Sequence, residues 1–407
     1  MLASPVLTRL YTPRDFGTLA VYTSFITIIV VMMSWRYELA IPFPENPVVA
    51  ANLLIVCLVI TGVMSLFLGL ILYVIGDNLL TTIKAALLRP YLWVLPLGLL
   101  GAGVYQSLNY WAIRKKAFDM IAKTKLSQGI GLISTQIGLG LAQVTPLGLL
   151  IGDVIGRFGG VSTLARLFWQ QDRSVLKHIS IDNMWKAMKR YHRFPLFSSF
   201  SGLMNSASLQ VPPLLFAILY GPDVAGWFSL GQRFIGLPMA LIGYAVAQVY
   251  LSEASSLTRD DPEAFHRLFR QTVVRLLITG LPLIATIGLG GSWLFLRIFG
   301  ENWVEAGRYV QVLTLMFITQ FISSPISQTL AVLERQRLAL IWDAGRLLTV
   351  VTGIWYTYVM NWSAFTSISI YGLIMTAFYL ILIGLCDLSL KQSKRQFQIH
   401  RTTVKLP

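Results

Sequence analysis

"LYTPRDFGTLAVYTSF", Leu10–Phe25, returns in altered form as "LYGPDVAGWFSLGQRF", Leu219–Phe234. Five of the sixteen aligned positions are identical: Leu10/Leu219, Tyr11/Tyr220, Pro13/Pro222, Gly17/Gly226 and Phe25/Phe234, at a constant offset of 209 in a chain of 407 residues. The offset is half the length, so the chain reads as two related halves. In each copy an apolar run ends in Leu-Tyr, and a proline that cannot continue a helix forces a turn. A glycine at the start of the next helix then lets backbones approach. Each copy predicts a tight helix-to-helix corner. A second echo, "QSLNYWAIRKK" from Gln106 and "QTLAVLERQR" from Gln328, has an offset of 222, so an insertion separates the halves.

The class follows from composition. Hydrophobic residues make up 55 % of the chain and charged residues only 13 %, where a soluble domain carries about 25 % charged residues; mean hydropathy is +0.65. Apolar segments lie near residues 17–34, 48–75, 91–113, 120–142, 146–166, 194–220, 224–251, 271–299, 307–333, 338–360 and 363–388. Each reaches the roughly 20 residues a helix needs to cross a hydrocarbon core. Met1–Leu10 is apolar but too short to span and reads as the stump of a twelfth helix, so that the start lies upstream or the first helix is shortened. The expected fold is an all-α integral membrane protein of two six-helix bundles related by internal duplication, the first helix truncated and eleven full spans visible. The expected divisions are an N-terminal bundle 1–166, a linker loop 167–193, a C-terminal bundle 194–390 and a basic tail 391–407. Matched repeats in such a chain point to a transporter whose site lies between its bundles.

Charge placement orients the chain. With the C-terminus inside, twenty-one lysines and arginines fall in cytoplasmic loops and the tail, against five outside (Arg9, Arg14, Lys84, Arg89 and Arg308), as the positive-inside rule requires. The net charge of +15 is thereby a matter of orientation, and the dispersal of basic residues among short loops argues against a nucleic-acid partner. The longest loop, Leu167–Arg193, contains "KHISIDNMWKAMKRYHRF". It reads first as a passive linker, with an interfacial helix on anionic lipid as the alternative.

Catalytic and cofactor signatures are missing from the sequence. His178, His192, His266 and His400 have no metal-ligand spacing, and Cys57 and Cys386 both lie in apolar runs. "GIGLISTQIGLG", Gly129–Gly140, sits inside an apolar span with no strand before it, so its glycines, like Gly152 and Gly156, read as helix-packing contacts. Neither cofactor nor metal is expected.

Ionisable groups inside the spans are costly in lipid and must face protein, water or each other. Lys123, Lys125, Arg157, Arg233, Arg275 and Arg346 are set against Asp153 and Asp343. Asp153 and Arg157 are four apart and Asp343 and Arg346 three apart, so each set can pair on one helix face. Arg233 has no carboxylate three or four positions away. Lys123, Lys125 and Arg275 lie near cytoplasmic ends and read as snorkelling residues. Candidate substrate contacts are Arg233, then Arg157, then Arg36, which "RYE" ties to Glu38. Asp153 and Asp343 are candidates for ion coupling, with a static ion pair as the simpler reading of each. Gln128, Gln136, Gln210, Gln232, Gln248, Gln320 and Asn205 can hydrogen-bond a sugar or join helices, and joining is the simpler reading of any one.

The strings "SPVLTRLYTPRDFGTLAVYTSF", "RYELAIPFP", "YHRFPLFSSFSGLMNSASLQVPPLLFAILYGPDVAGWFSLGQR" and "FGENWVEAGRYVQVL" resemble the bacterial polysaccharide-biosynthesis flippases, the O-antigen and exopolysaccharide translocases of the multidrug/oligosaccharidyl-lipid/polysaccharide exporter superfamily. The resemblance covers nearly the whole chain. It implies two six-helix bundles around a cavity, in the bacterial inner membrane with a cytoplasmic C-terminus. It also implies flipping of an undecaprenyl-pyrophosphate-linked oligosaccharide to the outer leaflet by alternating access. The implied partners are that lipid-linked oligosaccharide, membrane lipids, a proton or sodium gradient and other polysaccharide-assembly membrane proteins. The competing readings are an ion-coupled drug or cation exporter of the same superfamily, expected to hold unpaired carboxylates in its cavity, and a membrane-embedded polysaccharide polymerase, expected to carry a large outer loop. No enzymatic activity is expected.

Overall fold

In the computed structural model, which describes residues 3–82, 86–171, 177–333 and 335–403, the first corner is built by three consecutive residues. Extended backbone at Tyr11 ends α1 (Ser4–Leu10), and Thr12 begins α2 (Pro13–Ile29). The Thr12 hydroxyl accepts from the Asp15 N–H at 3.3 Å while the Asp15 carboxylate accepts from the Thr12 N–H at 2.8 Å. This reciprocal cap satisfies two of the helix-start donors, and Pro13 takes the first helical position, where no N–H is needed. Lys84, Arg173 and Lys405 of the charge balance, and Met1 and Leu2 of the first segment, lie outside the described residues.

The described chain divides into two compact units, Ala3–Gly226 and Trp227–Pro407. The first continues through α3 (Pro47–Thr82), α4 (Val94–Arg114), α5 (Phe118–Leu141), α6 (Leu147–Phe158), α7 (Val161–Gln171), α8 (Ile181–Arg190) and α9 (Ser199–Tyr220). Gly221, at φ +100, ends α9, and Pro222 opens α10 (Pro222–Asp260) as Pro13 opens α2. The two corners pack on each other. A Cβ added at Gly17 would stand 2.6 Å from the carbonyl carbon of Pro222, and one added at Gly226 2.7 Å from that of Pro13. The glycines shared by the two copies are therefore each other's clearance, a reciprocal contact of the kind two-fold symmetry produces.

Within this unit α9 lies along α2: the Ser24 hydroxyl donates to Gln210 Oε1 at 3.0 Å, and the Arg36 guanidinium lies over Gly202, where a Cβ would come 2.8 Å from its Cζ. The duplication assigns α9 to the second half of the sequence, yet its packing joins it to the first unit. The apolar core of the unit gathers Ala50, Leu54 and Cys57 of α3, Trp111 of α4 and Phe168 of α7, with Trp111 and Phe168 edge-to-face at 4.9 Å. Gly152 and Gly156 let α6 approach α5: a Cβ on Gly152 would sit 3.0 Å from the Leu132 carbonyl oxygen, and one on Gly156 2.9 Å from Leu132 Cβ. Gln136 joins the same helices by donating to the Leu149 carbonyl at 2.9 Å.

The second unit holds most of α10 with α11 (Pro262–Phe299), α12 (Val304–Ile326), α13 (Gln328–Val332), α14 (Gln336–Val359) and α15 (Ala364–Thr403). Gly291 and Gly307 bring α11 and α12 together, a Cβ on either meeting the other's backbone at 2.5–2.7 Å. Among the described residues there is no β-strand, and eight helical stretches are long and apolar enough to cross a membrane. This is an all-α integral membrane protein. The sequence reading of eleven spans also includes α4, α5 and α10, which fall outside those eight. In α4 and α5 the departure has a physical cause, because these helices carry the polar side chains described next.

A candidate binding cavity in the first unit

Polar residues interrupt α4, α5 and α6 at helical spacing. Gln106 and Asn109 are three apart on α4, Lys125 and Gln128 three apart on α5, and Asp153 and Arg157 four apart on α6. Residues so spaced share one helix face, and these three faces converge on a cavity of about 530 Å³, closed on the apolar side by Val30, Ala102 and Leu132. Gly156 lets the α6 wall stand close to α5, since a Cβ there would meet Leu132 Cβ at 2.9 Å, and Gly129 leaves open space on the α5 wall.

Asp153 and Arg157 form the expected ion pair. Arg157 Nε donates to Asp153 Oδ2 at 2.5 Å and Nη2 to Oδ1 at 3.4 Å, a two-pronged contact along one helix turn. Lys125 differs. Its ammonium lies 4.6 Å above the centre of the Tyr105 ring and donates to Gln128 Oε1 at 3.2 Å, and among the described residues no carboxylate pairs with it. The Tyr105 ring is itself oriented by a 2.9 Å hydrogen bond to the Thr124 hydroxyl. Asn109 Oδ1, on the wall, is buried without a hydrogen-bond partner, and the Tyr22 hydroxyl of α2 is buried within electrostatic reach of Asp153 and Arg157. The lining thus presents two cations, one anion, two aromatic or amide-rich walls and one unsatisfied acceptor.

Behind the wall lies a second cluster. Gln106 donates to Glu38 Oε1 at 2.8 Å, the Ser34 hydroxyl donates to Glu38 Oε2 at 2.5 Å, and Arg36 Nη1 stands 3.7 Å from Glu38 Oε1. Trp35 and Arg36 take left-handed backbone (φ 50 and 60), turning the chain so that Glu38 points inward, fully buried. Burial pushes the Glu38 carboxyl above its usual range, opposed by the Ser34, Arg36 and Gln106 contacts. The following loop is gripped by Arg114, whose guanidinium donates to the carbonyls of Pro42 at 3.2 Å, Pro44 at 2.5 Å and Glu45 at 3.2 Å.

Of the residues singled out in the sequence, the structure brings Arg157 and Asp153 together on the cavity and connects Arg36 to its wall through Glu38 and Gln106. Arg233 is an exposed residue of α10 in the second unit and is engaged with a neighbour. Asp343, also in the second unit, accepts from Arg346 Nη2 at 2.8 Å, and the Arg346 guanidinium lies 4.4 Å over Trp342. Lys125, read from sequence as a snorkelling residue, is part of the cavity. Gln106, Asn109 and Tyr22 were not distinguished; the available signal was the pair of amides three apart on an otherwise apolar helix.

Residues 6–308 match the model of a family described as polysaccharide biosynthesis protein. The teichuronic acid biosynthesis protein TuaB of Bacillus subtilis is 20 % identical over 288 residues, 71 % of this chain and 58 % of TuaB. The succinoglycan biosynthesis transport protein ExoT of Rhizobium meliloti is 23 % identical over 335 residues, 79 % of this chain and 63 % of ExoT. The chain thus spans about three fifths of the length of these curated relatives. Among solved structures, an inward-facing multidrug resistance MATE family transporter of the MOP superfamily matches with a TM-score of 0.77 at 13 % identity, covering 97 % of this chain and 94 % of that one. The bent form of the Vibrio cholerae MATE transporter VcmN matches at 0.55 and 14 % identity, covering 97 % and 99 %. At such identities the likeness is one of fold.

Proposed function

We propose that this chain, which belongs to the polysaccharide biosynthesis protein family, flips a lipid-linked oligosaccharide, of the undecaprenyl-pyrophosphate type, across the bacterial inner membrane by alternating access. It is a multi-pass membrane protein with a transporter fold. The observation that carries the finer reading is Lys125, a cation on the cavity wall whose partners are an amide and a ring instead of a carboxylate. An anionic pyrophosphate headgroup meets that need, while the amides of Gln106, Gln128 and Asn109 and the Tyr105 face suit sugar hydroxyls and ring faces. About 530 Å³ lies within the usual range of small-molecule sites, roughly 300–1,000 Å³. The names of ExoT and TuaB, one a succinoglycan transport protein and the other a teichuronic acid biosynthesis protein, agree with a glycan cargo.

In this reading Arg157 and Lys125 grip the phosphates and Arg36 holds the wall in place through Glu38. Asp153 and Asp343, each bound by an arginine one turn on, act as fixed counter-charges, and a proton or sodium gradient acts elsewhere. A cation exporter of the same fold would instead need a cavity with surplus carboxylate. The test is flipping of a lipid-linked oligosaccharide in proteoliposomes, read as its accessibility to a membrane-impermeant lectin. The parental protein is expected to accelerate flipping and the double variant Lys125→Gln/Arg157→Gln to lose it. Parental vesicles no faster than protein-free ones would overturn the function, and a double variant at the parental rate would overturn the cavity as the binding site.

A further inference from the structure

Helix α8 is held against the first unit by polar clamps at both ends. Asn52 of α3 accepts from the Ser180 N–H at 3.3 Å and donates to the His178 carbonyl at 3.4 Å, and the Tyr37 hydroxyl donates to the Met188 carbonyl at 3.3 Å. Ser180 caps its first turn, accepting from the Asn183 N–H at 3.2 Å. The helix therefore has a fixed rotation. Met184, Ala187, Met188 and Tyr191, at the spacing of one helix face, turn toward the apolar core.

Next to this stripe a second apolar edge is left bare. Ile181 and Trp185, one turn apart, are 86 % and 66 % exposed. The remaining face is basic: Lys186, Lys189 and Arg190 are exposed, as are Lys177 and Arg193 beyond the two helix ends, and Asp182, bound to Lys186, is the sole acid within α8. On an α-helix, where successive residues turn by about 100°, Lys189 falls beside the Ile181/Trp185 edge and Lys186 and Arg190 beyond it. The order around the helix is thus protein core, bare apolar edge, cations. Short connections join α8 to two membrane spans, Leu147–Gln170 before it and Gly202–Tyr220 after it, so it lies near the bilayer surface.

We propose that α8 is a surface anchor that binds anionic phospholipid headgroups, with Ile181 and Trp185 inserted at the headgroup–acyl boundary and the flanking lysines and arginines on the phosphates. Tryptophan favours this boundary because its ring is apolar and its N–H polar, and a basic amphipathic helix with one apolar edge is the form that lies in the interface plane. Anionic lipid supplies the opposite charge for a face carrying three cations, with Lys177 and Arg193 beyond the helix ends. A protein partner fits less well. Two side chains offer on the order of 400 Å² of apolar surface, about half of the roughly 800 Å² per partner that a stable interface buries. Nothing in this inference depends on which cargo the cavity takes.

The test uses the full chain with a polarity-sensitive fluorophore on Ile181→Cys; Cys57 and Cys386 are buried and stay out of reach of the label. The protein is reconstituted into vesicles of phosphatidylcholine alone or of equal parts phosphatidylcholine and phosphatidylglycerol. Quenching is measured with a lipid-borne quencher and with aqueous iodide. Phosphatidylglycerol is expected to blue-shift the label, raise lipid quenching and lower iodide quenching, with salt reversing the change. Since a basic residue near an anionic surface contributes about 1 kcal/mol, each of Lys186→Gln, Lys189→Gln and Arg190→Gln should weaken the preference for phosphatidylglycerol about fivefold. Iodide quenching that stays high in both vesicles would place the edge in water, open to a protein, and overturn the proposal. So would lipid quenching that ignores both lipid charge and the three substitutions.

Discussion

Gly17→Ala tests the reciprocal corner most directly. The added methyl would run into the Pro222 carbonyl, its oxygen first and its carbon at 2.6 Å, so α2 and the start of α10 must part by well over the 0.8 Å that the carbon alone would need to regain ordinary contact at 3.4 Å. The obstacle is backbone, which has no rotamer to change, so the cost belongs at the upper end of the overpacking range, about 3 kcal/mol. At about 2 °C per kcal/mol for a unit of this size, the melting temperature in detergent should fall by about 6 °C. Gly226→Ala meets Pro13 in the same way, 2.7 Å from its carbonyl carbon, and should cost as much alone. Together they should cost clearly less than the sum, because the first substitution already opens the gap that the second needs. Gly62→Ala on α3 is the control: a Cβ there meets nothing within 4 Å, so it should leave the melting temperature unchanged or raise it. Singles melting within about 1 °C of the parent, or a double variant that is fully additive, would refute the reciprocal contact.

Three further outcomes are expected. Arg157→Lys keeps a charge but loses the fork that meets Asp153 with two nitrogens, so flipping should be partly retained, and Arg157→Gln should retain less; equal rates for the two would show that planarity does not matter there. Glu38 has its carboxyl pushed up by burial, so its protonated form is favoured by the fold. Its contribution to stability is fully present below the ordinary carboxyl range near about 4.3 and is lost as pH rises through the elevated folded value. Melting temperature plotted against pH should therefore decline less above that range for Glu38→Gln than for the parent, and parallel curves would contradict this. Arg114→Ala should free the carbonyls of Pro42, Pro44 and Glu45, costing about 2–3 kcal/mol and raising proteolysis between residues 41 and 46; an unchanged digest would argue that the loop holds itself.

The corner was legible because its determinants are local: a proline, a capping threonine and a glycine act within one turn of their own position. The pairing of Asp153 with Arg157 was legible for the same reason, being set by helical spacing. What the corner packs against was not, since the repeat reveals likeness between Gly17 and Gly226 without revealing contact. The cavity was only half visible. Sequence supplies the depth of Lys125 along its span but not its direction around the helix, and direction separates a residue reaching for headgroups from one lying over Tyr105. Glu38 and Gln106, 68 positions apart, meet only through tertiary packing. The sequence reading picked out Lys125 and Gln128 on α5 but not Gln106 and Asn109 on α4, and the cavity lining takes its amides from both helices.

The packing of α9 on α2 also has a consequence for how the chain is made. Ser24 must find Gln210, 186 residues later, and Gly17 must wait for Pro222. At about 5–20 residues per second, α2 stands in the bilayer for roughly 10 to 40 s before its final partner has been synthesised. During that interval the groove beside Gly17 and the hydroxyl of Ser24 are without their native contacts. Biogenesis thus carries a timed vulnerability, in which an insertion chaperone, or the slow arrival of α9, decides whether the first unit closes on its own second corner or on another molecule.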